Sequence, residues 1–474
     1  MARRHRSDGR EHRVSQSRLR ELWAPQVRAL TIGLILTITF VASESLAVIT
    51  VMPLVARDLH GLRLYGWALS GFMLSSVIGT VAAGRGTDRR GPAVPFVAGL
   101  ITFMSGLAVA GMAPSMGVFV AGRALQGLGA GVVPSVAYAT IGRNLPPSLR
   151  PRMIAMISTA WIAPGLAGPA ISAEVAHAFG WRWVFLGLLP LVAVAGAIAV
   201  PALARTGRPA VVSSDSHSIV DAIRTATGTG LILTGLTLGF GTHAALAAGG
   251  LVLAGVAMAL PALRRLLPAG TLTARAGLPA TILSRGLLTF AFFGADSYVT
   301  LSITAVRHGS VLLAGFAVTG ATVAWTCGAW IQAHVSDTWE GRLLIRTGLA
   351  IIIVGIAGMI LVLYSGVPPA TGVAVWTVAG LGMGMAYSPI LLLVLRQAPA
   401  GREGRESAAL NLADLLGTAI GIGAGGAAVA AGAGANLRLG ITAAFGIAAG
   451  VAVMALAVTW RLPGGTTAGG QPPA

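Results

Sequence analysis

A chain of 474 residues that is 55% hydrophobic and only 10% charged, with a mean hydropathy of +0.80, lacks the make-up of a water-soluble globular domain. Its 33 basic residues are all arginine, and the net charge of +18 raises the question of nucleic-acid binding. The arginines stand between long apolar runs rather than in one patch, which points away from that class and towards an integral membrane protein, while the single Cys327 excludes an internal disulfide.

In chain order, residues 1–28 are basic and polar, with no small-residue cleavage site after the first apolar run, and read as an uncleaved cytoplasmic tail. Apolar runs of about 20 residues then predict an all-α membrane protein. Its spans fall near 31–54, 67–85, 93–112, 116–141, 153–175, 183–203, 220–241, 244–262, 280–304, 311–333, 343–364, 371–395, 407–430 and 438–460, fourteen in all. With the N-terminus inside, 27 arginines fall in cytoplasmic tails and loops and five in outer loops, namely Arg57, Arg63, Arg182, Arg307 and Arg438. That asymmetry puts both termini in the cytoplasm. Arg123 is left inside the fourth span. The Gly- and Pro-rich stretch 462–474 reads as a disordered tail.

Between the second and third spans stands AAGRGTDRRGPA, a tight turn in which Gly84 and Gly91 bracket Asp88, Arg89 and Arg90. It resembles the signature loop of the major facilitator superfamily: Gly84, Asp88, Arg89 and Gly91 match, whereas Gly86 replaces an apolar position and Pro92 a basic one. The resemblance implies that Asp88 and Arg89 latch two halves of the molecule at the cytoplasmic side. A charged turn that only fixes topology is the plain alternative. In a turn of this kind small residues let helices meet closely, and a carboxylate near a helix N-terminus gains charge–dipole stabilisation.

Further matches follow in order. The fourth span carries GRALQGLGAG, similar to a family motif through Arg123, Gln126, Gly127, Gly129 and Gly131. Arg123 lies roughly 10 Å from the outer end of its span at about 1.5 Å per residue, a depth that needs a wet cavity or a partner. The fifth span reads WIAPGLAGPAISA, resembling the antiporter motif through Gly168 and Pro169, with Gly165 adding a small surface and Ser172 and Ala173 standing where two glycines are usual. The hairpin FGWRWVFLGLLP places Trp181 and Trp183 at the outer interface. A degraded second loop, QAHVSDTWEGR, sets Asp337 where the first copy has Asp88, as expected of two six-helix bundles related by weak internal symmetry. Together these resemble the fourteen-helix drug:proton antiporter branch. They imply a division into a tail (1–28), an N-terminal bundle (29–204), a linker with two helices (205–278), a C-terminal bundle (279–461) and a tail (462–474).

Apart from Asp221 at the edge of the seventh span, four of the 15 acids fall within spans: Glu44, Glu174, Asp296 and Asp414. Such a carboxyl costs some kcal/mol that packing does not repay, so it is a site hypothesis by default. Glu44 lies nine residues before Pro53 in ESLAVITVMP, which resembles the first-helix motif of the branch with glutamate for aspartate and Thr50 for asparagine. Its depth is comparable with that of Arg123, and these two are the leading proton-coupling candidates. Asp296 is a second proton site or a cation-binding group, with a structural role as the alternative; Asp414, beside Asn411, is a weaker candidate of the same kind. Glu174 sits close enough to the outer surface to be solvated. Arg285 begins the ninth span and can snorkel to the cytoplasmic interface. Candidate cavity aromatics are Phe293, Tyr298, Trp325 and Tyr387, with Phe290, Phe292 and Trp330 nearby.

The eight histidines show no paired metal spacing, and a chain without lysine has no Walker-type phosphate loop. The expectation is therefore a carrier without catalytic residues, metal or cofactor, driven by the proton gradient. It would export a small hydrophobic or amphipathic compound across the cytoplasmic membrane by alternating access, as a monomer among membrane lipids with no nucleic-acid partner. A lipid or glycolipid exporter, an uptake symporter of the same fold and a non-transporting sensor or scaffold are the alternatives; the intramembrane acids weigh against the last.

Overall fold

Backbone groups in hydrocarbon find no water, so an apolar run satisfies them internally as a helix. The computed structural model describes residues 25–144, 149, 153, 156, 159–206, 217–239, 245–335, 339–399, 403–433 and 436–463. Among them are fourteen long helices and no strand. The first six are α1 (Pro25–Asp58), α2 (Tyr65–Arg90), α3 (Ala93–Gly111), α4 (Met116–Asn144), α5 (Ile162–Phe179) and α6 (Arg182–Ala204, with a break at Gly187). A hairpin follows, α7 (His217–Gly239) and α8 (Ala245–Leu266). The last six are α9 (Leu278–Leu301, prolonged by a π-helical turn), α10 (Val311–Val335), α11 (Gly341–Val362), α12 (Thr371–Gln397), α13 (Glu403–Gly432) and α14 (Leu437–Val458).

Twelve of these helices are long and apolar enough to cross a membrane. The two that fall short are α5, whose expected first turns at 153–161 are described only in part, and α7, which carries Asp221, Arg224 and five threonines. Several helices run past their apolar stretch: α1 extends to Asp58 and α2 to Arg90. Intrahelical hydrogen bonding does not stop where hydrocarbon does, so hydropathy alone sets the helix ends too short.

Glycine faces set the closest packing. A Cβ on Gly127 would stand 2.1 Å from the Phe72 carbonyl oxygen of α2, and one on Gly131 2.2 Å from that of Ser76. The approach lets Ser76 donate to the Gly127 carbonyl at 3.0 Å. Gly127 and Gly131 of the motif thus form a groove for α2, while Gly129 faces α3. In the last six helices, Gly380 and Gly384 of α12 meet α10 in the same way.

The two sets of six meet towards the arginine-poor end. There Gly66 and Gly426 face each other so closely that a Cβ on either would lie 2.5–2.6 Å from the other's Cα. Tyr65 donates to the Ser297 carbonyl at 3.1 Å, and Thr300 donates to the Ile49 carbonyl at 2.9 Å. The hairpin lies over this seam, since Ala222, Ala226 and Leu233 of α7 share one apolar cluster with Leu74 and Val77 of α2 and Leu416 and Ala419 of α13.

Candidate functional site

Glu44 projects from the middle of α1 and is 1% exposed; Arg123, on α4, is 2% exposed. Nη1 of Arg123 donates to Oε1 of Glu44, and also to Oε1 of Gln126 at 3.0 Å. Gln126 in turn donates from Nε2 to the same Glu44 oxygen at 3.2 Å. Nε of Arg123 donates to the Ala68 carbonyl at 3.2 Å, and the guanidinium lies 4.3 Å from the centroid of the Phe72 ring. The spacing of Arg123 and Gln126, one helical turn apart, puts both on the face of α4 that meets α1 and α2. Glu44 Oε2 has no hydrogen-bond partner. The two residues singled out by depth are therefore in contact, with Gln126 as a third member whose role the motif did not disclose.

Asp296 and Asp414 form separate sites in the last six helices. Asp296, 5% exposed, accepts a 2.6 Å hydrogen bond from Nε1 of Trp376 on α12, whose ring stacks on Phe292 at 5.4 Å. Phe292 also meets Trp325 edge-on at 5.8 Å, and Trp325 meets Tyr387 at 5.2 Å. The hydroxyl of Tyr387 donates to Oδ2 of Asp414 at 2.8 Å. An unbroken run of aromatic rings thus joins the two acids.

Arg285 does not reach back to an interface. It is 3% exposed, donates from Nη1 to the Tyr387 carbonyl at 2.6 Å, and holds Nε 3.8 Å from Oδ1 of Asp414. The pairing is possible because α9, α12 and α13 converge here. A partner more than a hundred residues away leaves no local trace in sequence, and this is what the snorkelling expectation missed.

Of the other expected positions, Phe293 and Trp325 are half-buried in the aromatic run, 6.1 Å apart. Tyr298 belongs elsewhere: fully buried, it packs on Tyr65 at 5.6 Å and donates to the Ile422 carbonyl at 2.5 Å, sealing the seam rather than lining a cavity. Trp330 is 68% exposed and faces outward. Glu174 is exposed near the end of α5, as a solvated acid should be. Sequence reasoning also missed Trp376 and Tyr65. The chain has only five tyrosines, and Tyr65, Tyr298 and Tyr387 all lie in these networks, so their scarcity was the available signal.

The signature loop differs from a turn with its acid at a helix N-terminus. Helix α2 continues through it, so Asp88 stands with Arg89 in the last turn of α2, and Gly91 ends the helix at φ 77° with its N–H on the Thr87 carbonyl. The dipole of that end favours the arginines over the acid. Gly84 has open space where a Cβ would go, so it makes no close helix contact. Arg85, Arg89 and Arg90 line a groove of about 330 Å³ with Val94 and Pro95, remote from the three acid sites. Asp337 lies outside the described residues. In the antiporter motif, a Cβ on Gly165 would meet Thr322 of α10 at 2.3 Å, and the Pro169 carbonyl lies 3.4 Å from the corresponding point on Gly315. Gly168 makes no such cross-helix contact.

Comparison with known proteins places this arrangement. A probable multidrug-efflux transporter of Mycobacterium tuberculosis is 27% identical over 399 residues, 81% of this chain and 83% of that protein. The drug efflux pump JefA of the same species is 26% identical over 390 residues, 78% of this chain and 74% of the pump. Among solved structures, the xylose transporter XylE of E. coli in a partially occluded inward-open conformation superposes with a TM-score of 0.60 at 14% identity, covering 91% of this chain and 97% of that one. The family model described as Major Facilitator Superfamily matches residues 32–422, from α1 into α13 with the hairpin between the two sets, and the chain belongs to that superfamily.

Proposed function

We propose that this carrier exchanges protons for a hydrophobic or amphipathic compound, exporting it across the cytoplasmic membrane by alternating access. In this reading all fourteen helices span, both termini are cytoplasmic, α1–α6 and α9–α14 are the moving bundles, α7 and α8 are inserted between them, and the protein works as a monomer without a cofactor. The arginine-rich end is then cytoplasmic. The drug-efflux names of the relatives support the cargo and the direction.

The observation that carries the reading is the buried Glu44–Arg123 pair. An acid and an arginine held together inside apolar helices stabilise the fold less than well-packed apolar side chains of the same volume, so their presence needs another reason. Glu44 supplies one. Oε1 takes two donors while Oε2 takes none, so a proton can reside on Oε2 without displacing Arg123 or Gln126. Opening of the seam at Tyr65, Gly66, Ser297 and Gly426 gives Glu44 access to the outer water, and closure seals it again. Asp296 and Asp414 are further proton or cargo groups on the C-terminal side, reached from the aromatic run. Asp88, Arg89 and Asp337 belong to the cytoplasmic gate.

The reading is tested in proteoliposomes of purified protein bathed in a fluorescent amphiphile. An imposed pH gradient is expected to drive accumulation in the wild type and to leave Glu44→Gln at the level of passive leak. Undiminished accumulation in Glu44→Gln would sink the assignment of the proton site.

A further inference from the structure

An acid beside an aromatic wall is ordinarily a seat for an organic cation, through charge attraction and the negative face of the ring. At Asp414 both attractions are already taken by the chain itself. The guanidinium carbon of Arg285 lies 3.2 Å from the centroid of the Tyr387 ring, and its Nε lies 3.8 Å from Oδ1 of Asp414. Whichever protonation state Asp414 adopts, the pair carries a net charge of zero or plus one, and the ring face that would hold a cation is covered. What stays without a hydrogen bond is the facing pair of polar atoms itself. Arg285 Nε and Asp414 Oδ1 are buried and have no hydrogen-bond partner, one a donor and the other an acceptor. The side chain of Asp414 is 19% exposed against 4% for Arg285, so the acid is the more accessible of the two. Trp325 stands edge-on to Tyr387.

We propose that Arg285 is a specificity-determining residue that makes the Asp414–Tyr387 pocket a seat for uncharged planar aromatic compounds bearing a hydrogen-bond donor and an acceptor, and turns permanent organic cations away. The inference rests on the transport reading for its purpose but is tested by equilibrium binding, which needs no gradient.

The probes are acridone, neutral with one N–H and one carbonyl, and N-methylacridinium, of similar shape but permanently charged. Each is titrated by fluorescence against the full chain in nanodiscs of zwitterionic lipid. The wild type is expected to bind acridone about tenfold or more tighter than N-methylacridinium. Arg285→Gln uncovers the ring and the acid together and is expected to lower that ratio by about tenfold or more, chiefly by improving cation binding. Should Arg285→Gln not fold, Arg285→Gln/Asp414→Asn removes both charges and is expected to lose the discrimination against the cation. A wild type that prefers N-methylacridinium, or a ratio unchanged in the folded variants, overturns the proposal. Failure of the transport reading shows differently, as an intact binding preference with no flux of acridone in proteoliposomes.

Discussion

Glu44 engages two donors with one oxygen and none with the other, so its neighbours are not interchangeable. Removing the cation by Arg123→Leu leaves a buried acid without its counter-charge and is expected to cost about 3–5 kcal/mol. The double variant Glu44→Gln/Arg123→Leu should recover part of that, as read from thermal unfolding in detergent. A single variant as stable as wild type would mean that the pair is not sealed from water. Asp296 is held by one indole N–H. Trp376→Phe keeps a ring against Phe292 but removes that donor, and should destabilise by about 1–3 kcal/mol; the same change in an Asp296→Leu background, where the acceptor is gone, should cost less. Equal losses in the two backgrounds would show that the hydrogen bond contributes nothing. What could be read at this scale from sequence was the cost of a charge: Glu44, Arg123, Asp296 and Asp414 stood out because apolar spans do not tolerate them. Their partners did not stand out. Trp376 is 80 residues from Asp296 and Arg285 is 129 from Asp414, and hydropathy is blind to such pairings.

Helices of this molecule approach one another where side chains are smallest. The contact between Gly66 of α2 and Gly426 of α13 leaves no room for even a methyl group. Gly426→Leu should therefore hold the arginine-poor end apart. With Cys327 replaced by serine and spin labels at Arg63 and His308, both exposed at that end, the label-to-label distance is expected to lengthen by several ångströms, since a leucine side chain must be accommodated at close packing density. An unchanged distance distribution would show that the seam yields locally instead. Helix positions were legible in the sequence because hydrocarbon demands long apolar runs. Helix ends were not, and Asp88 suffered most: a loop reading put it by a helix N-terminus, whereas α2 carries it in its last turn. The span of α7 was read from its apolar run like the others, but nothing in its threonine-rich composition said that it packs over the α2–α13 seam.

At the scale of the whole molecule, three sets of acid contacts are divided between the two sets of six helices. Glu44 with Arg123 is on the N-terminal side; Asp296 with Trp376 and Asp414 with Arg285 and Tyr387 are joined on the C-terminal side by aromatic rings. In the proposed cycle the tyrosine and glycine contacts that seal the arginine-poor end part to let outer water meet Glu44, and the hairpin packs on both α2 and α13, the helices that would separate. Sealing one end while a charge site waits for the other is what coupling requires, because an ion path open to both sides would dissipate the gradient. The most direct measurement loads proteoliposomes with a pH-sensitive dye and imposes a gradient of transported amphiphile with no initial pH difference. Wild-type protein is predicted to move protons opposite to the amphiphile, and Glu44→Gln to move the amphiphile down its gradient with no proton movement. Protons travelling in the same direction as the amphiphile, or proton flux undiminished in Glu44→Gln, would contradict exchange at this site.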